Sequence, residues 1–249
     1  MFTDTHCHIY SEYYSDIDAI IKTSIDKGVN RFINNGCSPK TNKEVLELID
    51  KYSNMYGALG IHPEEVENYT LEDIKYIEEN IANKKIIAIG EIGLDYHYGK
   101  DTKEKQIELF ELQLKLAEKY HMPIIVHSRD ATLDTMNILK KYNVVGTIHS
   151  FSGSLETAKE YIKMGYLIGI NGVITFKNCN LKDIVINLPL TNIVLETDSP
   201  YLTPIPDRGK QNNPGYVKEV AEFVANLYGI SMEELAHITN QNIKRMYNI

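Results

Sequence analysis

The sequence predicts an α/β fold of the (β/α)8 class, a TIM barrel formed by a single domain over residues 1–249. Two observations lead to this prediction. Short apolar runs typical of buried parallel strands alternate with helical patterns along the whole chain. The glycine pattern G-x-G-x-x-G, which follows the first strand of a dinucleotide-binding open sheet, does not occur. Strict alternation without that pattern favours a barrel over an open doubly wound sheet.

Eight strands are predicted from runs that are rich in apolar and β-branched residues. They cover residues 3–8, 29–35, 55–61, 86–92, 123–127, 144–149, 166–170 and 192–197. The fourth run is almost continuously apolar, which is typical of a strand that is covered on both faces. In a barrel, the carboxyl ends of all these strands lie at the same edge of one sheet.

Helices between the strands are predicted from apolar residues three or four positions apart and from capping residues. The first helix is expected to begin behind Ser15 and to end at Gly28. Capping boxes place the starts of two later helices at Thr70 and Ser231. The other predicted helices cover residues 40–52, 131–142, 154–164 and 216–228, and one further helix contains Phe110.

The composition narrows the classes of function. Hydrophobic residues make up 43% of the chain and charged residues 24%, and no run approaches the roughly 18 uncharged apolar residues of a membrane span. Three cysteines without C-x-x-C spacing indicate neither a disulfide framework nor a cysteine-rich zinc site. We therefore expect a cytoplasmic protein without a secretory leader or a membrane partner.

The net charge of -8 argues against broad electrostatic binding to a nucleic-acid duplex, which requires a basic surface. A nucleic-acid substrate would therefore have to be held by metal ions and by a few local contacts.

The chain begins with the stretch Thr3-Asp-Thr-His-Cys-His8, in which two histidines are two positions apart. On an extended strand both imidazoles leave the same face, whereas on a helix they would diverge by about 200°. His6 and His8 can therefore share one metal ion only if this stretch is a strand. Cys7 falls on the opposite face and is predicted to be a packing residue.

Further unusual polar residues stand at the ends of later strands. They are His62 after the third strand, Glu91 in the fourth, His127 in the fifth, His149 in the sixth and Asp198 after the eighth. One such residue alone is as often a hydrogen-bonded core residue as a ligand. Together they predict one pocket at the edge where barrel enzymes build active sites, because buried charges are rare unless they are paired or metal-bound.

Four imidazoles and two carboxylates are too many for one catalytic ion with an open position, but they suit two ions that share a carboxylate. The predicted ligands are His6, His8 and Asp198 for one ion, His127 and His149 for the other, and Glu91 for both. Imidazole-rich ligation favours Zn, Mn or Fe, with Mg less favoured. We expect two divalent ions per chain, with Zn, Mn and Mg as the candidates.

The motifs around these residues resemble those of the TatD family of metal-dependent deoxyribonucleases, which is related to the amidohydrolase-type barrels. The matching motifs run through the chain in the family's order and are Asp4-Thr-His-Cys-His8, Gly60-Ile-His-Pro63, Gly90-Glu-Ile-Gly-Leu-Asp-Tyr96, Val126-His-Ser-Arg-Asp-Ala131, His149-Ser-Phe-Ser-Gly153, Glu196-Thr-Asp-Ser-Pro200 and Arg208-Gly-Lys-Gln-Asn-Asn-Pro214.

The resemblance implies a (β/α)8 barrel, a divalent two-metal centre and hydrolysis of DNA phosphodiesters by an exonuclease. Members of the family are also credited with hydrolysis of the ester in D-aminoacyl-tRNA, so that chemistry stays open.

Asp198 is the candidate general base. A carboxylate beside a metal-activated water can take its proton, while the ion lowers the pKa of that water from 15.7 toward about 7. A purely structural ligand is the alternative. Glu91, as the shared ligand, is the second predicted catalytic residue. Glu196 points to the same face two residues earlier and is predicted to support the ligands.

Two residues are predicted to bind substrate. His62 carries no assigned metal and is expected to meet a phosphate oxygen or the leaving group, with a structural loop histidine as the alternative. The segment 198–215 is long and rich in Pro, Gly and Asn, which is typical of a substrate loop, and Arg208 is its phosphate fork. The candidates for stacking on bases are Tyr96, Tyr98 and Tyr201.

Three functions remain open at this point. The first is a two-metal phosphodiesterase with DNA as substrate and no obligate protein partner. The second is a hydrolase with the same centre that acts on an ester or amide of a small molecule or a charged tRNA. The third is a metal-binding protein without catalysis, which the open coordination position and the long loop disfavour.

Overall fold

The computed structural model describes all residues of the chain, Met1–Ile249. Eight strands form one sheet, and their order in the sheet follows the chain. They are β1 (Phe2–Cys7), β2 (Val29–Asn35), β3 (Met55–Leu59), β4 (Ile86–Asp95), β5 (Ile124–Arg129), β6 (Gly146–Ile148), β7 (Leu167–Ile170) and β8 (Ile193–Leu195). The strand pairs are parallel. Alternation of these strands with helices confirms the predicted (β/α)8 class.

Helices follow the strands along the chain. They are α1 (Ile17–Asp26), α2 (Pro39–Lys51), α3 (Leu71–Asn80), α4 (Lys103–Tyr120), α5 (Thr132–Leu139), α6 (Leu155–Lys163), α7 (Leu181–Val185), α8 (Val217–Tyr228) and α9 (Met232–Tyr247). None of them has the length and apolar character that a bilayer crossing requires.

Capping residues set the starts of several helices, as predicted for Thr70 and Ser231. Thr70 and Asp73 form a capping box before α3, and the Ser231 hydroxyl accepts a hydrogen bond from the third residue of α9. The predicted cap of α1 was wrong by one position. Asp16, and not Ser15, caps α1, because its carboxylate accepts the N–H of Ala19 at 2.9 Å.

The chain packs as two compact units. The first unit comprises Met1–Asn34, Ser150–Lys163 and Leu167–Ile249, and the second comprises Asn35–His149 and Met164–Tyr166. One domain over residues 1–249 stays a prediction.

In the first unit, the carboxyl end of β1 contacts the segment that follows β8. The N–H of Asp198 donates to the carbonyl of His6 at 2.9 Å, and the N–H of His8 donates to the carbonyl of Ser199 at 2.8 Å. The apolar faces of α8 and α9 bury Val224 and Ile243, and each such burial stabilises the fold by about 1.5–3 kcal/mol. These hydrogen bonds and the packing of α8 and α9 therefore hold the end of β1 beside Asp198.

In the second unit, β4 is fully buried and pairs with β5. The sequence predicted an end at residue 92, but the strand continues to Asp95. Gly93 makes this continuation possible, because a Cβ at that position would lie 1.9 Å from the carbonyl oxygen of His127. Its φ of 149° also lies in a region that side chains rarely adopt. Because β4 and β5 approach closely at Gly93, their pairing continues, and Asp95 lies at the carboxyl end of β5.

Candidate metal centre

The first unit brings together His6, His8 and Asp198. His6 Nε2 lies 3.2 Å from His8 Nε2, and Asp198 Oδ1 lies 3.6 Å and 3.4 Å from these two nitrogens. Ligands that bind a tetrahedral ion at about 2.1 Å stand roughly 3.4 Å from one another. The three atoms therefore have the separations of ligands on one metal ion, and we define them as the first cluster.

The backbone and a neighbouring tyrosine orient the first cluster. Asp198 has a φ of 56°, a left-handed conformation that aspartate tolerates better than most residues. His8 presents Nε2 to the cluster, while its Nδ1 lies 3.4 Å from the hydroxyl of Tyr10. Such a contact at the second ring nitrogen fixes the ring orientation of a metal-binding histidine.

Asp4 supports the first cluster, although it was not among the predicted site residues. Its carboxylate accepts the N–H of His6 at 3.2 Å, and the N–H and hydroxyl of Thr197 at 3.0 and 2.5 Å. Burial raises the pKa of Asp4 to about 8, although the hydrogen bonds from Thr197 and His6 act in the opposite direction. Asp4 thus joins the end of β1 to the segment that carries Asp198. A sequence signal existed, because Asp4 shares a strand face with His6.

The second unit brings together Glu91, His127 and His149. Glu91 Oε1 lies 2.9 Å from His127 Nδ1 and 2.8 Å from His149 Nε2, and these two nitrogens are 3.1 Å apart. The three atoms face one another at separations slightly shorter than the roughly 3.4 Å of a tetrahedral shell. We define them as the second cluster. Its oxygen and imidazole donors suit Zn, Mn or Fe.

Asp95 holds His127 from the side opposite to the second cluster. Its Oδ2 lies 3.0 Å from His127 Nε2, while its Oδ1 accepts the N–H groups of His97 and Tyr98 at 2.8 and 3.1 Å. Burial raises the pKa of Asp95, but the hydrogen bond from His127 and the two N–H groups outweigh it and lower the pKa to about 2. The carboxylate is therefore charged, and it leaves His127 Nδ1 directed toward the cluster.

The same contacts favour positive charge at His127. Burial lowers the pKa of its imidazole, but the carboxylates of Asp95 and Glu91 outweigh burial and raise the pKa to about 9. The two carboxylates therefore attract positive charge to this part of the site. A metal ion beside Glu91 would satisfy the same attraction, so the residues present fit a cation in the second cluster. Asp95 was not among the predicted site residues, although two-residue periodicity along β4 places it on the face of Glu91.

We expect Asp95→Asn to weaken metal binding about 10- to 100-fold, because partners that orient a ligand contribute affinity of this order. The amide removes the negative charge that fixes the His127 tautomer. Titration of the metal-free protein with Mn²⁺ or Zn²⁺, followed by calorimetry, gives the dissociation constants.

Asp134→Asn is the matched control for Asp95→Asn. Asp134 bonds the hydroxyl of Tyr96 at 2.9 Å and pairs with Lys103 at 2.6 Å. It makes no contact with a ligand of either cluster, so this variant should bind metal like the parent protein. Equal metal affinity in both variants would remove the proposed role of Asp95.

His62 lies beside the second cluster. Its Nδ1 accepts the N–H of Glu64 at 3.2 Å, which leaves the ring proton on Nε2. That Nε2 lies 3.5 Å from Glu91 Oε1, within the separations of a possible ligand group of His62, Glu91 and His127. A protonated Nε2 is a donor and not a ligand, so the geometry favours hydrogen bonding by His62 over coordination.

Arg208 and Glu196 lie outside both clusters. The Arg208 side chain is exposed, and its guanidinium carbon lies 4.2 Å from the centroid of the Phe176 ring. Buried Glu196 accepts the N–H of Ser150 at 2.5 Å and so holds the turn that follows β6. Of the tyrosines proposed for stacking, Tyr98 and Tyr201 are exposed, whereas the Tyr96 hydroxyl is engaged by Asp134.

The fold and the two clusters define a class of protein. Imidazoles and carboxylates gathered at the carboxyl ends of parallel strands in a (β/α)8 fold are typical of a metal-dependent hydrolase. The family model of the TatD related DNases matches residues 3–248. The chain belongs to this family, and it is a metal-dependent hydrolase that acts on ester bonds.

Several relatives agree with this assignment. The metal-dependent hydrolase YabD of Bacillus subtilis is 42% identical over 254 residues, with 100% of both chains covered. The 3'-5' ssDNA/RNA exonuclease TatD of Shigella flexneri is 28% identical, with 96% of this chain and 95% of the relative covered. Among solved structures, YJJV of Escherichia coli k12, a TatD homologue, matches at 32% identity with a TM-score of 0.94, over 100% of this chain and 98% of the other.

Proposed function

We propose that the protein is a two-metal nuclease that removes nucleotides from the ends of DNA strands. The observation that carries this proposal is the presence of two ligand clusters, each with one carboxylate and two imidazoles at the separations of metal ligands. Two ions can stabilise both the attacking and the leaving oxygen of a phosphodiester. That Glu91 is shared by both ions remains a prediction from the sequence.

Bound divalent ions supply Lewis acidity, which lowers the pKa of water and neutralises the charge of a phosphodiester. Asp198 accepts the proton of the attacking water. Its side chain is 15% exposed and can reach solvent, whereas the Glu91 side chain is only 4% exposed and serves as a ligand. His62 donates its Nε2 proton to a phosphate oxygen or to the leaving oxygen.

Substrate class is inferred from chemistry and from one relative. The Shigella flexneri relative acts, by its name, on single-stranded DNA and RNA from the 3' end. The net charge of -8 disfavours broad binding along a duplex, so local contacts to a strand end suit this chain better. A charged-tRNA ester remains the alternative substrate for the same centre.

A paired assay tests the proposed function. Purified protein with Mn²⁺ or Mg²⁺ is incubated with a 5'-labelled single-stranded oligonucleotide and, separately, with a D-aminoacyl-tRNA. A ladder of products shortened from one end is the expected result, and a chelator should abolish it. Release of the amino acid without a ladder would replace the nuclease by an esterase, and no turnover of either substrate would contradict both.

Arg208→Ala is expected to raise KM for an oligonucleotide about 10-fold without changing metal content, because charge-assisted hydrogen bonds to a phosphate contribute binding of this order. Steady-state kinetics and metal analysis measure the two quantities. Lys141→Ala is the control, since Lys141 is also an exposed cation, but it pairs with Glu111 at 2.9 Å and lies between α5 and the amino end of β6. An unchanged KM for Arg208→Ala would show that Arg208 does not contact the substrate and is an ordinary solvated surface residue.

A further inference from the structure

A groove in the first unit is lined in part by Arg208, and its other lining residues have no role in the chemistry described so far. It encloses about 710 Å³. Its walls come from Ser152, which follows β6, from side chains between Val173 and Leu181, which follow β7, and from Ile205 and Arg208, which follow β8. Within this unit, Asp198 also follows β8. The groove therefore opens at the sheet edge that carries the first cluster.

The lining combines apolar surface with positive charge. Its apolar side chains are Val173, Phe176, Leu181 and Ile205, and its polar side chains include Lys177, Asn178, Asn180 and Arg208. No Asp or Glu lines the groove, although the whole chain has 34 acidic and 26 basic residues. A ligand that matches this lining carries negative charge and a planar apolar part, and a nucleotide has both.

Arg208 is prepared to bind an anion. Its guanidinium lies against one face of Phe176, with 4.2 Å between the guanidinium carbon and the ring centroid. The neighbouring carboxylate of Asp207 is paired with Lys210 at 2.5 Å and does not neutralise Arg208. The contact with the ring uses none of the guanidinium N–H groups as conventional hydrogen-bond donors, so they can still bond a phosphate.

Hydrogen bonds hold two walls of the groove together before any ligand arrives. The Thr175 hydroxyl accepts the N–H of Ile205 at 2.9 Å and donates to the carbonyl of Gly172 at 2.7 Å. Gly172 packs so closely that a Cβ there would lie 2.2 Å from the carbonyl oxygen of Leu202. A preformed groove loses little conformational entropy on binding, which favours a binding role over incidental surface shape.

We propose that this groove binds one nucleotide of a single-stranded nucleic-acid substrate, with its base against Phe176 and the apolar wall and its phosphate at Arg208 and Lys177. The inference rests on the proposed nuclease function and assigns a base-binding subsite to it. A base seated in the groove cannot pair with a second strand, so the subsite selects single strands. It accepts every base, because each has an aromatic face.

Binding and cleavage by Phe176→Ala test the proposal. Affinity is measured by fluorescence anisotropy with a phosphorothioate decathymidylate on the metal-loaded protein, and KM is measured with the cleavable oligonucleotide. We expect Kd and KM to rise about 10-fold, as is typical for loss of one base–aromatic contact. The KM for methyl 4-nitrophenyl phosphate, a phosphodiester without a nucleobase, should rise less than the KM for the oligonucleotide.

Tyr120→Ala is the matched control. Tyr120 is 40% exposed and also has a cation beside its ring, with Lys119 Nζ 5.0 Å from the centroid, but it ends α4 before the amino end of β5. This variant should bind the decathymidylate like the parent protein.

A second measurement does not depend on the stability of the Phe176 variant. Oligonucleotides with one abasic position, moved stepwise along the strand, are bound to the parent protein. An abasic site at one position should lower the affinity about 10-fold, and Phe176→Ala should not lower the affinity for that strand any further. Equal affinity for all abasic strands, with an unaffected Phe176→Ala, would overturn the subsite. If the parent protein binds but does not cleave the strand, the nuclease proposal fails while the groove assignment stands. If it neither binds nor cleaves, both fail.

Discussion

Asp198→Asn is expected to lower kcat on a phosphodiester by about 10²- to 10⁴-fold, which is the usual contribution of a positioned general base. The amide keeps an oxygen near His6 and His8, where the carboxylate now lies 3.6 and 3.4 Å from the two Nε2 atoms. It cannot accept a proton from the attacking water. The variant should therefore fold and retain at least one ion while turnover fails, and kinetics at saturating metal measure the loss.

Two further variants separate proton transfer from general disturbance. Asp207→Asn lies on the same segment, where Asp207 contacts Lys210 and no ligand, and should keep parental activity. Glu196→Gln retains an oxygen that can accept the N–H of Ser150 and should lose far less than Asp198→Asn. If Asp198→Asn keeps most of its kcat, a group other than Asp198 takes the proton of the attacking water.

Removal of metal is expected to abolish hydrolysis, and readdition of Mn²⁺ or Zn²⁺ is expected to restore it. Each cluster has only one carboxylate and two imidazoles for an ion, and neither can activate water without a cation. Metal analysis of the reloaded protein should approach two ions per chain, because a single catalytic ion commonly uses three protein ligands and an open position.

Variants in each cluster assign the ions separately. His8→Ala should remove the ion of the first cluster, and His127→Ala should remove the ion of the second, so each variant should saturate near one ion per chain. Far-ultraviolet circular dichroism checks that both variants remain folded. Saturation of the parent protein at one ion, with His127→Ala unchanged, would contradict the two-metal assignment.

Local sequence patterns predicted most of the strands and helices of the fold. The predicted bounds of β2 agree with the structure at Val29–Asn35, because an apolar run between turn residues reports strand structure directly. The capping residues Thr70 and Ser231 were also confirmed. Where two residues that commonly cap helices are adjacent, the sequence pattern does not show which of them is the cap. Ser15 and Asp16 both suit a cap, and only the reach of Asp16 to the N–H of Ala19 decided the outcome.

The end of β4 shows a second limit of local patterns. Glycine weakens a strand in isolation, so a sequence pattern ends the strand near Gly93. In the structure the absent side chain lets β4 approach the carbonyl of His127, and pairing continues to Asp95. The residue that weakens the isolated strand therefore permits the contact between Asp95 and His127.

For the site, the sequence by itself determined the residue types and their places at strand ends, because strand periodicity is local and fixes the face on which His6 and His8 lie. Only the tertiary structure decided which further side chains support them. Asp4 and Thr197 bond across 193 positions, and Arg208 meets Phe176 across two segments that follow different strands. No local pattern encodes such contacts, because they depend on how strands far apart in the chain pack beside one another.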